Sequence, residues 1–112
     1  MKADDFRELA LALPDAEERE HMGHPDFRVH GKIFASLSDD DESGVLKLTL
    51  HQQEELVGDG TGSFEAMAGA WGMQGWTRVR LAGARKDRVR RAMKLAWGNV
   101  APDAIRARAA KG

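Results

Sequence analysis

The sequence predicts a two-layer α+β fold, a single antiparallel β-sheet with an N-terminal and a C-terminal helix packed on it. Three observations carry that prediction. The densest β-type stretch runs from Phe27 to Leu50 and places Phe27, Val29, Ile33, Phe34, Leu37, Val45, Leu46, Leu48 and Leu50 between turn signals. Helix-period apolar stripes stand near both ends of the chain, over 4–13 and 85–98. A last strand, WTRVRL at 76–81, directly precedes the second stripe. At 112 residues the chain reads as one domain, 1–112, long enough to bury a core without covalent staples.

In the first helix, Phe6, Leu9, Ala10 and Leu13 recur at i, i+3, i+4 and i+7, with Asp4 and Asp5 in the first turn and Pro14 as the stop. Residues 15–25 alternate weakly, which predicts a short edge strand ending before Pro25. Phe27 to Leu37 follows as a hairpin. A two-residue Gly31-Lys32 turn would pair His30 with Ile33, leaving Phe27, Val29 and Phe34 on one face and Arg28, His30, Ile33, Ala35 and Leu37 on the other. A loop of odd length would instead set Ile33 beside Val29; the Gly-Lys pair favours the first register. Residues 38–44 form an acidic hairpin tip, whose consecutive acids lack the alternating ligands of a calcium loop. Val45 to Leu50 returns as a strand.

Residues 51–57 have the composition of a short helix, with Gly58 as its stop. The Gly-rich segment 58–75 is irregular, with a turn of helix over 63–70 capped by Ser63, and Trp71 and Trp76 could wall a groove there. On the last strand, Trp76, Arg78 and Arg80 share one face and Thr77, Val79 and Leu81 the other. The helix at 85–98 buries Val89, Ala92, Met93, Ala96 and Trp97 and turns Arg90, Arg91 and Lys94 outward. Asn99 ends it, and a final short helix starts at Pro102-Asp103, with fraying over 109–112.

Composition excludes several functions. There is no cysteine, hence no disulfide, thiolate nucleophile or cysteine-based zinc site. No apolar run approaches the ~20 residues that span a bilayer, and the N-terminal stretch is too acidic for a secretory signal, so a cytoplasmic location with no membrane partner is expected. His21 and His24 lie three apart, but beside Gly23 and Pro25 and without a third ligand at fixed spacing, so no metal is expected. No P-loop, dinucleotide-binding glycine pattern or nucleophile elbow is present. The expectation is a protein that is not an enzyme and carries no cofactor.

The net charge of −1 hides an asymmetry. Residues 1–62 hold 6 Lys/Arg against 15 Asp/Glu, whereas residues 63–112 hold 11 against 3. Basic side chains on the strands, Arg28, Lys32, Lys47, Arg78 and Arg80, together with Trp71 and Trp76, are the candidate nucleic-acid-binding set. Arginine donates two parallel hydrogen bonds to a phosphate, and an indole stacks on a base. The competing reading pairs these cations with acids of the other half. Two further alternatives are a dimerisation or protein-interaction module in which a partner covers Ile33 and Leu37, and a small-ligand site in the Gly58–Trp76 groove.

The segments HPDFRVHGKIFASL and VLKL, then AWGMQGWTRVRL and a closing AWGNVAP, resemble the MmcQ/YjbR family of small bacterial proteins over nearly the whole chain. The resemblance implies a two-layer fold of the double-wing type and a DNA-binding role inferred from fold. It implies no catalytic activity and no cofactor, and a fold hosts many functions.

Overall fold

The computed structural model describes residues 1–111, the last of them by backbone only; Gly112, the end of the segment expected to fray, lies outside the described residues. Six antiparallel strands form one sheet: β1 (Ala16–His21), β2 (His24–Val29), β3 (Lys32–Leu37), β4 (Ser43–Lys47), β5 (Phe64–Ala66) and β6 (Trp76–Arg80). They lie in the order β1-β2-β3-β4-β6-β5. Five helices accompany them: α1 (Ala3–Leu11), α2 (Leu50–Val57), α3 (Gly69–Met73), α4 (Lys86–Val100) and α5 (Asp103–Lys111). The predicted α+β class and single antiparallel sheet are those observed.

Helices α1 and α4 pack on one face of the sheet. On α4 the apolar side chains Val89, Ala92, Met93, Ala96 and Trp97 recur at helical spacing and are all buried. They meet Phe34, Ala35, Leu37 and Leu46 in a continuous core, where Phe6 of α1 lies 6.2 Å from Phe27, ring centre to ring centre. Each fully buried Val, Leu, Met or Phe side chain among them stabilises the fold by roughly 1.5–3 kcal/mol. The Trp97 indole N–H donates to the Pro14 carbonyl at 3.0 Å and ties α4 to the end of α1.

The central hairpin differs from the expected register. Val29 pairs with Lys32 across a two-residue His30-Gly31 turn, with φ of 49° and 81° at the two central positions. Both lie in the left-handed region, which marks the turn type whose twist suits a hairpin. Arg28 then pairs with Ile33 and Phe27 with Ala35, so Phe34 is an extra residue in β3. This bulge lets Phe34, Ala35 and Leu37 all reach the core, while Ile33 stays on the opposite face. Neither considered register contained it. The β1–β2 hairpin closes in the same way over Met22-Gly23, and Pro25 belongs to β2, beyond the last β2–β3 pair.

Two further boundaries are corrected. Strand β4 stops at Lys47, because Thr49 and Gln52 cap α2 reciprocally: the Thr49 hydroxyl accepts from the Gln52 N–H at 3.1 Å, and the Gln52 side chain accepts from the Thr49 N–H at 2.9 Å. Leu50 therefore begins a helix and is exposed. The expected turn of helix after Ser63 is instead β5, whose Phe64 is buried opposite Val79. At the rims, β5 is flanked by α2, whereas β1 is an outer strand with Glu17, Glu18, Arg19 and Glu20 exposed.

Candidate binding surfaces

The make-up of the sheet face opposite α1 and α4 is set by cross-strand register. Directly opposed residues share a face, so Asp26, Ser36, Val45, Arg78 and Glu65 form one row across β2, β3, β4, β6 and β5. Arg28 and Ile33 lie on the same side, as do the opposed pair Lys47 and Trp76 and the pair Ser43 and Arg80. The predicted grouping of Trp76, Arg78 and Arg80 on one face of the last strand is therefore observed.

The cations on this face are largely engaged. Arg28 donates from Nε and Nη2 to the two oxygens of Asp26, at 2.8 and 3.0 Å, and Asp26 is almost wholly buried. Hydrogen bonding to that carboxylate holds the Arg28 guanidinium above its ordinary value, so it remains charged although burial works against it. Arg78 Nη1 and Arg80 Nη2 donate to the two oxygens of Glu65, at 3.2 and 3.4 Å. Arg80 also borders a depression shared with Asp4, Asp41 and Glu42. Lys47 donates to the Gln74 carbonyl at 2.7 Å, and its ammonium lies 5.1 Å from the Trp76 ring centre. Lys32 is exposed but paired opposite Val29, on the helix-bearing side.

The two tryptophans border a groove, but it lies over the sheet and not within the Gly58–Trp76 segment where it was expected. Trp71, on α3, is 61% exposed; its ring centre is 6.1 Å from that of Trp76, at an interplanar angle of 70°. The groove has a volume of about 800 Å³ and runs from these indoles and Met67, past Ile33 and Val45, to His21 and His24 at the closed end of the β1–β2 hairpin. Gln53 of α2 fixes the tryptophan wall: its buried amide nitrogen donates toward the carbonyls of Gly72 and Trp76 and the Thr77 hydroxyl, each at 3.1 Å. Gly72 is required where α3 begins to close back, because a Cβ there would stand 1.8 Å from the Met67 carbonyl oxygen. Among the described residues no three His, Asp or Glu side chains gather as a metal-ligand set.

A second basic surface lies on the outer side of α4. Arg90, Arg91 and Lys94 are exposed, and among the described residues no carboxylate comes within 4.0 Å of them. Of the acids that neutralise the sheet cations, Asp26 stands two residues from Arg28, a spacing that places both on one strand face and makes the pair legible. Glu65 had no such signal, because its strand is three residues long. Leu37, expected to need a partner's cover, is in the core, and of that pair only Ile33 faces outward. No helix among the described residues is long and apolar enough to cross a membrane.

A sequence model of the YjbR family matches residues 11–99. No curated protein matches the chain. The crystal structure of Deinococcus radiodurans protein DR2400, described as a DUF419 domain, is similar in fold, with a TM-score of 0.75 and 19% identity over 90% of this chain and 79% of that one.

Proposed function

The chain belongs to the YjbR family, and from that footing we propose that it is a non-enzymatic, cytoplasmic DNA-binding protein whose phosphate contact is the outer face of α4 rather than the sheet. The observation that carries the proposal is the contrast between the two basic surfaces. On the sheet, Arg28, Arg78 and Arg80 each donate to a carboxylate, so the positive charge offered to a polyanion there is largely answered. On α4, Arg90, Arg91 and Lys94 project from adjacent positions of one solvent-facing side, with no carboxylate within 4.0 Å of them among the described residues. Such a surface attracts a polyanion by counterion release and reads no sequence.

The test is an anisotropy titration of the full chain with duplex DNA at several salt concentrations. Neutralisation of three phosphates gives a slope of log K against log salt of about −2.7, roughly a 40-fold loss between about 50 and 200 mM salt. Removing Arg90, Arg91 and Lys94 together abolishes the binding. Loss on removing Lys47, Arg78 and Arg80 instead would move the contact to the sheet, and no binding near 50 mM salt would end the nucleic-acid reading.

A further inference from the structure

The groove on the opposite side of the molecule is not absorbed by that reading. We infer that it is a separate binding site for a small planar aromatic anion, held with its ring against Trp71 and its carboxylate on Arg78. Several features point to this ligand class. Trp71 leaves most of its indole open to water although its neighbours Met67 and Trp76 offer apolar cover. Ile33 and Val45 continue the apolar wall across the sheet, so a flat ring meets carbon on its underside.

The groove also has one cation with donors to spare. Arg78 uses only Nη1 on Glu65, and its Nε and Nη2 have no hydrogen-bond partner among the described residues. Arg28, by contrast, is held through two nitrogens by Asp26 and offers no comparable fork. The remaining carboxylate of the lining, Asp40, accepts from the Ser38 hydroxyl and the Glu42 N–H and also lies in the field of Arg78, without a direct hydrogen bond to it. The Ser36 hydroxyl stands in the same cross-strand row, two strands from Arg78, and makes no hydrogen bond to another side chain. A volume of about 800 Å³ falls in the range of small-molecule sites. A carboxylate placed on Arg78 would replace water, not the Glu65 contact, and gain a charge-assisted bond beside an apolar wall.

The site is tested with 2-naphthoate as the probe, added to the full chain and followed by the indole N–H resonances. The signals of Trp71 and Trp76 are expected to shift saturably, while that of Trp97, which donates to the Pro14 carbonyl, stays fixed. Arg78→Gln weakens binding at least about tenfold, and the neutral 2-naphthylmethanol binds the unaltered protein more weakly by a similar factor. Trp71→Ala removes binding, whereas replacing Arg90, Arg91 and Lys94 leaves it unchanged, so this site and the DNA contact fail independently. Equal affinity for the acid and the alcohol would overturn the assignment of Arg78. No shift of Trp71 or Trp76 up to about 1 mM probe would overturn the site itself.

Discussion

Gly44 of β4 lies directly beneath the ring of Phe6 in α1, so that a Cβ at Gly44 would stand 2.3 Å from the Phe6 Cε2 atom. The ring is fully buried, with Phe27 as a neighbour, and has no free volume into which to withdraw. Gly44→Ala should therefore destabilise the fold by roughly 1–3 kcal/mol, the usual cost of overpacking. Urea denaturation should show a lower midpoint at unchanged slope, and Phe6→Leu in the same chain should restore part of the loss.

The Asp26–Arg28 pair makes a second prediction. Asp26→Ala leaves a guanidinium in a half-buried position without its anion, at a cost of about 2–4 kcal/mol. Removing both partners, as Asp26→Ala with Arg28→Met, should cost clearly less than Asp26→Ala alone. A double-mutant cycle by urea denaturation measures the difference.

Asp59 ties the loop after α2 to α4, accepting from the Thr61 N–H at 2.9 Å and from Arg88 Nη2 at 2.8 Å. Burial raises its carboxyl, but the Thr61 and Arg88 hydrogen bonds together outweigh burial and hold it below the usual carboxylate range. A depressed folded value means stability that is present above the unfolded carboxylate value, about 3.9, and lost as pH falls through the folded one. Stability set by this group should be flat from pH 7 to about 5 and decline below about 4. Asp59→Asn should lower stability at neutral pH and flatten the acid-side decline in thermal melts taken across pH.

Gln53 is buried, and its amide nitrogen is the shared donor for Gly72, Trp76 and Thr77. Gln53→Leu keeps the volume but removes this shared donor; the Gly72 and Trp76 carbonyls keep the Gly75 and Met67 N–H groups, so the loss is about 0.5–1.5 kcal/mol. The tryptophan wall should loosen before the sheet does. Hydrogen exchange should accelerate over α3 while the core strands remain protected.

Much of this fold was readable from side-chain period. The stripe on α4 and the alternation along β6 each settle an element and its faces, because buried and exposed positions repeat at 3.6 and 2 residues. The central hairpin was not readable. Its register depends on His30 adopting a left-handed conformation and on one added residue at Phe34, and neither leaves a periodic trace. β5 is too short to show a period, and so Glu65, which neutralises two of the candidate arginines, went unseen. The Thr49–Gln52 cap was written in the sequence as a threonine three residues before a glutamine, and it moves the end of β4 by three residues. The cations expected to gather on the sheet do share its open face, Lys32 excepted, yet Arg28 is answered there by Asp26 of its own strand and Arg78 and Arg80 by Glu65 of β5.

The outermost strand, β1, ends the sheet on an unpaired row of backbone groups fringed by Glu17, Glu18, Arg19 and Glu20. Any newcomer seeking to lengthen the ribbon must set its own side chains against three carboxylates at close range. Growth into fibres is thus discouraged at this margin, and its hydrogen-bonding capacity is left to water.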